Sequence, residues 1–148
     1  FMGYTTQKNA LLFGFGVSAI SDLGDQYVQN ERKLSDYYAA LDDGRWPVMR
    51  GMDLSQDDLL RKEMIMELMC QLKVPFENME RKYRMMFYDY FRYEVFSLAG
   101  MIEDGLVSAT SDMLEVTEVG RLFIRNVCMA FDSYLNSSQT EQRYSRTL

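Results

Sequence analysis

Two cysteines, no histidine and a few well-spaced arginines are what this sequence offers for chemistry. Cys70 and Cys128 each sit inside an apolar, helix-like stretch, and neither belongs to a CxxC or CxxxC cluster. A zinc or iron–sulfur site needs three or four thiolate or imidazole donors, so the chain does not furnish an ordinary one by itself. Both cysteines read as buried reduced thiols; a disulfide is the alternative, without support in the pattern. Arg121 and Arg125 are four apart, which places them on one face of a helix. Paired guanidinium groups can grip carboxylates through two parallel hydrogen bonds each. Arg50, in a tight MRG turn, is a further candidate of this sort. The plainer account of Arg121 and Arg125 is a solvated stripe beside an apolar one, and spacing alone does not separate the two readings. Residues 14–19 (GFGVSA) formally match GxGxxG/A. A dinucleotide site would need a helix opening directly on those glycines. Here the apolar run continues through Ile20, and Asp22, Gly24 and Asp25 follow as a loop, so close strand packing explains the glycines better.

Those side chains must be positioned by elements whose periods can be read. Residues 11–20 (LLFGFGVSAI) form a short apolar run, and their length and glycines predict a buried strand. Gly14, Gly16, Ser18 and Ile20 would then share one nearly bare face, which another element or a ligand must approach closely. Asn30 can cap a helix reaching Asp43, with Leu34, Tyr38 and Leu41 on one side and Gly44 and Pro47 ending it. Residues 44–53 are the best boundary. Ser55 with Asp58 three residues on is a capping-box pattern opening a helix striped by Leu60, Met64, Leu68 and Leu72. Pro75 stops it. A second helical region is striped by Met79, Tyr83, Phe87 and Phe91, and a third covers residues 93–104, with Gly105 as its C′ residue. Residues 106–117 read as a hairpin around Thr110-Ser111-Asp112. Thr117 caps a last helix striped by Val119, Phe123, Val127 and Phe131, and the tail over residues 136–148 is polar. Helices, hairpin and final helix together predict a mainly α fold with a small β-hairpin, winged-helix-like in its C-terminal part.

The chain has 148 residues, with 47% hydrophobic and 26% charged, an ordinary globular balance for one domain or a domain plus a piece of another. Twelve methionines and 14% aromatics suit an adaptable core and a surface that expects a partner. A net charge of −6 argues against general affinity for nucleic acid or acidic membranes. A DNA-binding winged helix needs a basic recognition helix and wing. The hairpin instead carries Asp112 and Glu115 and no Lys or Arg, while Arg81, Lys82, Arg84 and Arg92 are interrupted by acidic residues. No signal peptide or transmembrane run is present, and the expected location is the cytoplasm. The chain opens at Phe1-Met2-Gly3-Tyr4, in the middle of what reads as structured sequence, so a designed fragment is expected.

One family shares this series of segments. FMGYTTQ at 1–7, FGFGVSAIS at 13–21, GDQYVQN at 24–30, PVMRG at 47–51, LMCQL at 68–72, DGLV at 104–107 and GRLFIRNVCMAFDSYL at 120–135 resemble, in order and spacing, oxygen-independent coproporphyrinogen III oxidases. The resemblance spans nearly the whole chain, and GYTTQ, GVSAIS and RNVCMxFDxYL in series are its most specific parts. Haem chaperones of the same superfamily share the layout but are less similar around GVSAIS and the last helix. The resemblance implies a parent enzyme of haem biosynthesis whose N-terminal radical domain, a partial parallel barrel, binds a [4Fe–4S] cluster through CxxxCxxC, with S-adenosylmethionine on the fourth iron. Its 5′-deoxyadenosyl radical takes a hydrogen from the β-carbon of a propionate. Loss of carbon dioxide and one electron then leaves a vinyl group. Two propionates of coproporphyrinogen III react in this way to give protoporphyrinogen IX, the protein orienting and shielding the chemistry. By the same resemblance, residues 1–45 are a strand–helix remnant of that barrel's trailing edge, and residues 46–148 are the helical C-terminal domain that covers the substrate cleft. Part of a second S-adenosylmethionine pocket falls on Phe1, Met2 and Ile20. Met2 departs from the Gln common there and lacks its hydrogen-bonding side chain. Four substrate propionates call for several cationic grips, and Arg50, Arg121 and Arg125 are the candidates. No catalytic residue and no metal ligand is expected in the fragment, which is expected to be inactive alone. Its expected partners are the substrate and its own N-terminal domain, not nucleic acid or membrane, and a second copy could pair along the exposed edge at residues 1–20. The alternatives are a haem chaperone and a winged-helix interaction or DNA-binding module.

Overall fold

The computed structural model describes residues 10–137, and the chain divides after Leu59 into two compact units. The first unit is built on a three-stranded antiparallel sheet. It comprises β1 (Ile20–Asp22), β2 (Gln26–Asn30), α1 (Leu34–Asp42) and β3 (Val48–Asp53), with sheet order β1-β2-β3. The turn between β1 and β2 closes because Gly24 takes a φ of 97°, which a side chain would oppose, while its N–H donates to Asp22 Oδ1 at 3.0 Å. This fixes the register Ile20↔Gln29, Ser21↔Val28 and Asp22↔Tyr27.

The strand expected over residues 11–20 is largely a loop. Only Leu12 bridges to Asp22, through two hydrogen bonds of 2.8 Å. Gly16 (φ 96°) and Ser18 (φ 61°) take left-handed conformations, which break an extended pleat. This loop lies over one face of the sheet. The Gly14 N–H donates to Ser21 Oγ at 3.0 Å, and Asn30 Nδ2 donates to the carbonyls of Gly14 and Gly16 at 3.1 and 3.0 Å. A Cβ on Gly14 would stand 2.7 Å from the Ile20 carbonyl oxygen, so the close approach Gly14 permits is made by the chain itself, whereas Gly16 serves its left-handed backbone. Asn30 is buried at the end of β2 rather than capping α1, which opens at Lys33. Gly44, at φ 69°, follows α1 as expected, and residues 48–53 of the expected boundary are β3.

The second unit is a small helical domain around one core. Helix α2 (Gln56–Gln71) starts at the expected capping box: Ser55 Oγ accepts from the Asp58 N–H at 3.2 Å, and Asp58 Oδ2 accepts from the Ser55 N–H at 2.9 Å. Leu72, at φ 62°, ends it. There follow β4 (Lys73–Pro75), α3 (Phe76–Tyr83), α4 (Phe87–Tyr90), α5 (Arg92–Ser97), α6 (Ala99–Glu103), β5 (Val107–Ala109) and β6 (Met113–Val116). The antiparallel sheet order β4-β6-β5 sets the predicted hairpin beside a third strand, and helix, strand, helices and wing follow in winged-helix order. The single helix expected through Met79 and Phe91 is two, because Arg84 turns left-handed at φ 52°. A 3-10 turn (Gly120–Phe123), α7 (Ile124–Met129) and α8 (Ser133–Ser137) complete the described chain.

Leu60, Met64 and Leu68 meet Phe76, Phe87, Phe91, Val127 and Phe131 in the core. Phe76 stacks on Phe87 with ring centroids 3.8 Å apart, and Phe91 meets Phe131 edge-on at 5.4 Å. Each buried ring contributes roughly 2–3 kcal/mol. Arg61 ties these elements: it donates to Glu94 Oε1 at 2.8 Å and to the Phe131 carbonyl at 3.1 Å, and lies over the Phe91 ring. Thr117 acts as a cap, as expected, its Oγ1 accepting from the Gly120 N–H at 3.1 Å, but the element it opens is the 3-10 turn. The apolar stripe then splits: Val127 and Phe131 are fully buried, whereas Val119 and Phe123 are exposed. The 3-10 turn has three residues per turn instead of 3.6, so residues before it lose the α-helical register.

Candidate functional site

The register of the first sheet brings two of the expected site residues into one row. Ile20 pairs with Gln29, and Gln29 pairs with Arg50. Directly opposed residues project to the same face, so Ile20, Gln29 and Arg50 form a line across all three strands. Asp22, Tyr27 and Met52 make the next line on that face. Ser21, Val28 and Gly51 point to the opposite face, where the loop at residues 14–16 is held.

Gln29 organises the row. Its Nε2 donates to the Ser18 carbonyl at 3.2 Å, and its Oε1 accepts from Arg50 Nε at 2.9 Å. Arg50's two terminal amino groups have no hydrogen-bond or ion-pair partner among the described residues. A guanidinium fixed through Nε presents those groups as a fork, which matches a carboxylate. Ile20 is 46% exposed and Met52 42%, so apolar surface lies beside the fork. Gln29 was not singled out from sequence. Its signal is the turn at Gly24 and Asp25, which folds residues 26–30 back on residues 20–22 and sets Gln29 opposite Ile20.

The other candidates lie elsewhere. Arg121 is exposed on the 3-10 turn and its Nη1 donates to Glu118 Oε1 at 2.9 Å. Arg125 is exposed on α7, so the pair does not share one regular α-helix as the four-residue spacing assumed. Phe1 and Met2 lie outside the described residues. The thiols offer little. Cys128 is buried, with Sγ 3.9 Å from the Ile65 carbonyl, and burial pushes its pKa up to about 12. Cys70 is half-buried, and no disulfide links the two. Among the described residues no group of three His, Cys, Asp or Glu side chains could hold a metal ion. A cleft of about 460 Å³ lies between the start of α3 and the hairpin tip, lined by Phe76, Glu77, Glu80, Arg81 and Asp112. Its carboxylates outnumber its one arginine, so it does not suit a polycarboxylate. No helix among the described residues is long and apolar enough to cross a membrane.

Comparison with known proteins gives one answer. Residues 54–123 match the HemN C-terminal domain. The whole chain aligns with proteins named oxygen-independent coproporphyrinogen III oxidase: 44% identical to that of Synechocystis (33% of its length), 40% to that of Escherichia coli K12 (32%) and 43% to that of Helicobacter pylori 26695 (32%). The chain therefore spans about a third of the length of the curated relatives it matches. Among solved structures it matches one described as "Coproporphyrinogen III oxidase (HemN) from Escherichia coli is a Radical SAM enzyme", with a TM-score of 0.82 and 42% identity over 89% of this chain and 30% of that one. Residues 54–123 thus carry the HemN C-terminal domain, and by fold and by sequence the chain as a whole is similar to the C-terminal part of proteins named oxygen-independent coproporphyrinogen III oxidase.

Proposed function

We propose that this chain is the C-terminal part of an enzyme that decarboxylates two propionates of coproporphyrinogen III to vinyl groups, giving protoporphyrinogen IX. The observation that carries this is similarity along the whole of this chain, at 38–44% identity, to about a third of several bacterial proteins of that one name, joined to a 0.82 fold match. In this reading residues 1–45 are the trailing edge of the radical domain, and residues 46–148 cover the substrate. Phe13, Phe15 and Trp46 are each more than 60% exposed, as suits a surface completed by further polypeptide. A [4Fe–4S] cluster and S-adenosylmethionine supply the radical chemistry of the parent. The described residues do not fit the cluster, and within the chain only Ile20 of the S-adenosylmethionine residues is described, offering an apolar side chain. In this reading the chain alone is expected to hold no cluster and to have no activity.

Arg50, Arg121 and Arg125 are the proposed grips on substrate carboxylates. Reversal of any one to Glu in the full-length enzyme is expected to raise KM for coproporphyrinogen, and unchanged kinetics in all three would remove this assignment. The working place of the parent is the cytoplasm. Pairing of two copies of this chain along residues 1–20 is testable by light scattering. The acidic wing, with Asp112 and Glu115 and net charge −6, disfavours the DNA-binding alternative. The functional reading is tested by genetic complementation. The full-length gene should restore anaerobic growth without added haem to a bacterium lacking its own coproporphyrinogen oxidases. A chaperone that only binds haem would not.

A further inference from the structure

Resting on that reading, we propose that Gln29 and Arg50 form a carboxylate-reading pair on the open face of the first sheet, with Gln29 as the positioning residue. Four observations carry it. Arg50 is held at Nε by Gln29 Oε1 at 2.9 Å. Gln29 is itself oriented, because its Nε2 is bound to the Ser18 carbonyl at 3.2 Å and its amide cannot turn without losing both bonds. Ser18 is in turn fixed in a left-handed conformation (φ 61°), its N–H bonded to the Glu31 carbonyl at 2.8 Å. Finally, the face that carries the row is the one the loop at residues 14–16 leaves uncovered, since Ser21 and Asn30 anchor that loop on the other side.

A chain of contacts from backbone to amide to guanidinium restricts in advance the rotamer freedom that a long Arg side chain otherwise loses on binding. Strands spaced about 4.8 Å apart set Ile20 about 10 Å from Arg50 along the row. Ile20, Tyr27 and Met52 flank the polar pair on the same face, and the Asp22 carboxylate, on the strand farthest from Arg50, accepts from the Gly24 N–H. The ligand class is therefore a carboxylate borne on an apolar body. A propionate of the tetrapyrrole has this chemistry, and the aminoacyl carboxylate of S-adenosylmethionine is the other source of the same group.

The test uses the full-length enzyme and a double-mutant cycle: Arg50→Ala, Gln29→Ala and both together, with KM measured separately for coproporphyrinogen and for S-adenosylmethionine. Losing a charge-assisted contact predicts a rise in KM of about tenfold or more for Arg50→Ala, and severalfold for Gln29→Ala, with kcat far less affected. The double variant should be no worse than Arg50→Ala, because Gln29 acts only through Arg50. A rise confined to coproporphyrinogen assigns the carboxylate to the substrate; one confined to S-adenosylmethionine assigns it to the cofactor. An active wild type in which neither KM moves would overturn the pair while leaving the functional reading intact. Additive effects of the two substitutions would overturn the positioning role. A wild type without turnover would sink the functional reading and this inference with it.

Discussion

At the scale of single residues, what a side chain can do here is decided by its partners. Arg50 and Arg121 look alike in sequence, but Arg121 is engaged by Glu118 on the surface, whereas Arg50 is held at one edge and open at the other. An exposed ion pair such as Arg121 with Glu118 is worth at most about 1 kcal/mol and is readily exchanged. Cys128 shows the opposite limit. Burial raises its pKa from an ordinary 9.0 to about 12, so at pH 9 roughly one thiol in a thousand is ionised in the folded state. Folded protein therefore binds more protons than unfolded protein between those values. The stability this thiol contributes is complete below about pH 9 and is lost as pH rises towards 12. Alkylation by iodoacetamide at pH 8, followed by mass spectrometry, should leave Cys128 unmodified in native protein and modify it fully in urea. Rapid native modification would contradict its burial.

At the scale of elements, the second helix was legible because its signals are local: a capping box at Ser55 and Asp58, then Leu60, Met64 and Leu68 at helical spacing. The hairpin at residues 106–117 was legible for the same reason. What misled was backbone conformation that composition does not announce. Ser18 and Arg84 are left-handed without being glycine, which turned an expected strand into a loop and split an expected helix. The 3-10 turn at Gly120–Phe123 likewise moved Val119 and Phe123 out of the core and removed the regular helix beneath Arg121 and Arg125. Of the candidate row, Ile20 and Arg50 could be named from sequence, but Gln29 required the pairing of residues 20–22 with residues 26–30, a strand that carries no alternating apolar pattern of its own. Two glycines separate these effects experimentally. A Cβ on Gly120 would stand 1.9 Å from the Leu106 carbonyl oxygen, so Gly120→Ala must displace backbone and should cost about 3 kcal/mol or more. A Cβ on Gly100, within α6, meets nothing, and Gly100→Ala should stabilise by about 0.5 kcal/mol. Urea denaturation followed by circular dichroism would measure both, and a tolerated Gly120→Ala would refute the packing described there.

At the scale of the molecule, the two units differ in how they bury themselves. The second has a core of stacked phenylalanines, with a partly buried Arg61–Glu94 pair beside it. Among its described residues the first buries little more than Ala40, Pro47, Ser21 and Asn30, and exposes Phe13, Phe15, Ile20 and Trp46. A sheet with so little core of its own fits the proposed reading of it as the edge of a larger body, with relatives about three times as long. The open face with Ile20, Gln29 and Arg50 belongs to this under-buried unit. The most direct measurement compares the full-length protein with residues 1–148 alone, each reconstituted anaerobically with iron and sulfide and supplied with reductant, S-adenosylmethionine, coproporphyrinogen III and a one-electron acceptor for the substrate radical. The full-length protein should show iron–sulfur absorbance and yield protoporphyrinogen IX with two molecules of carbon dioxide released, while the shorter chain shows neither. A full-length protein that leaves coproporphyrinogen III unchanged, or a shorter chain that assembles a stable cluster, would contradict the account.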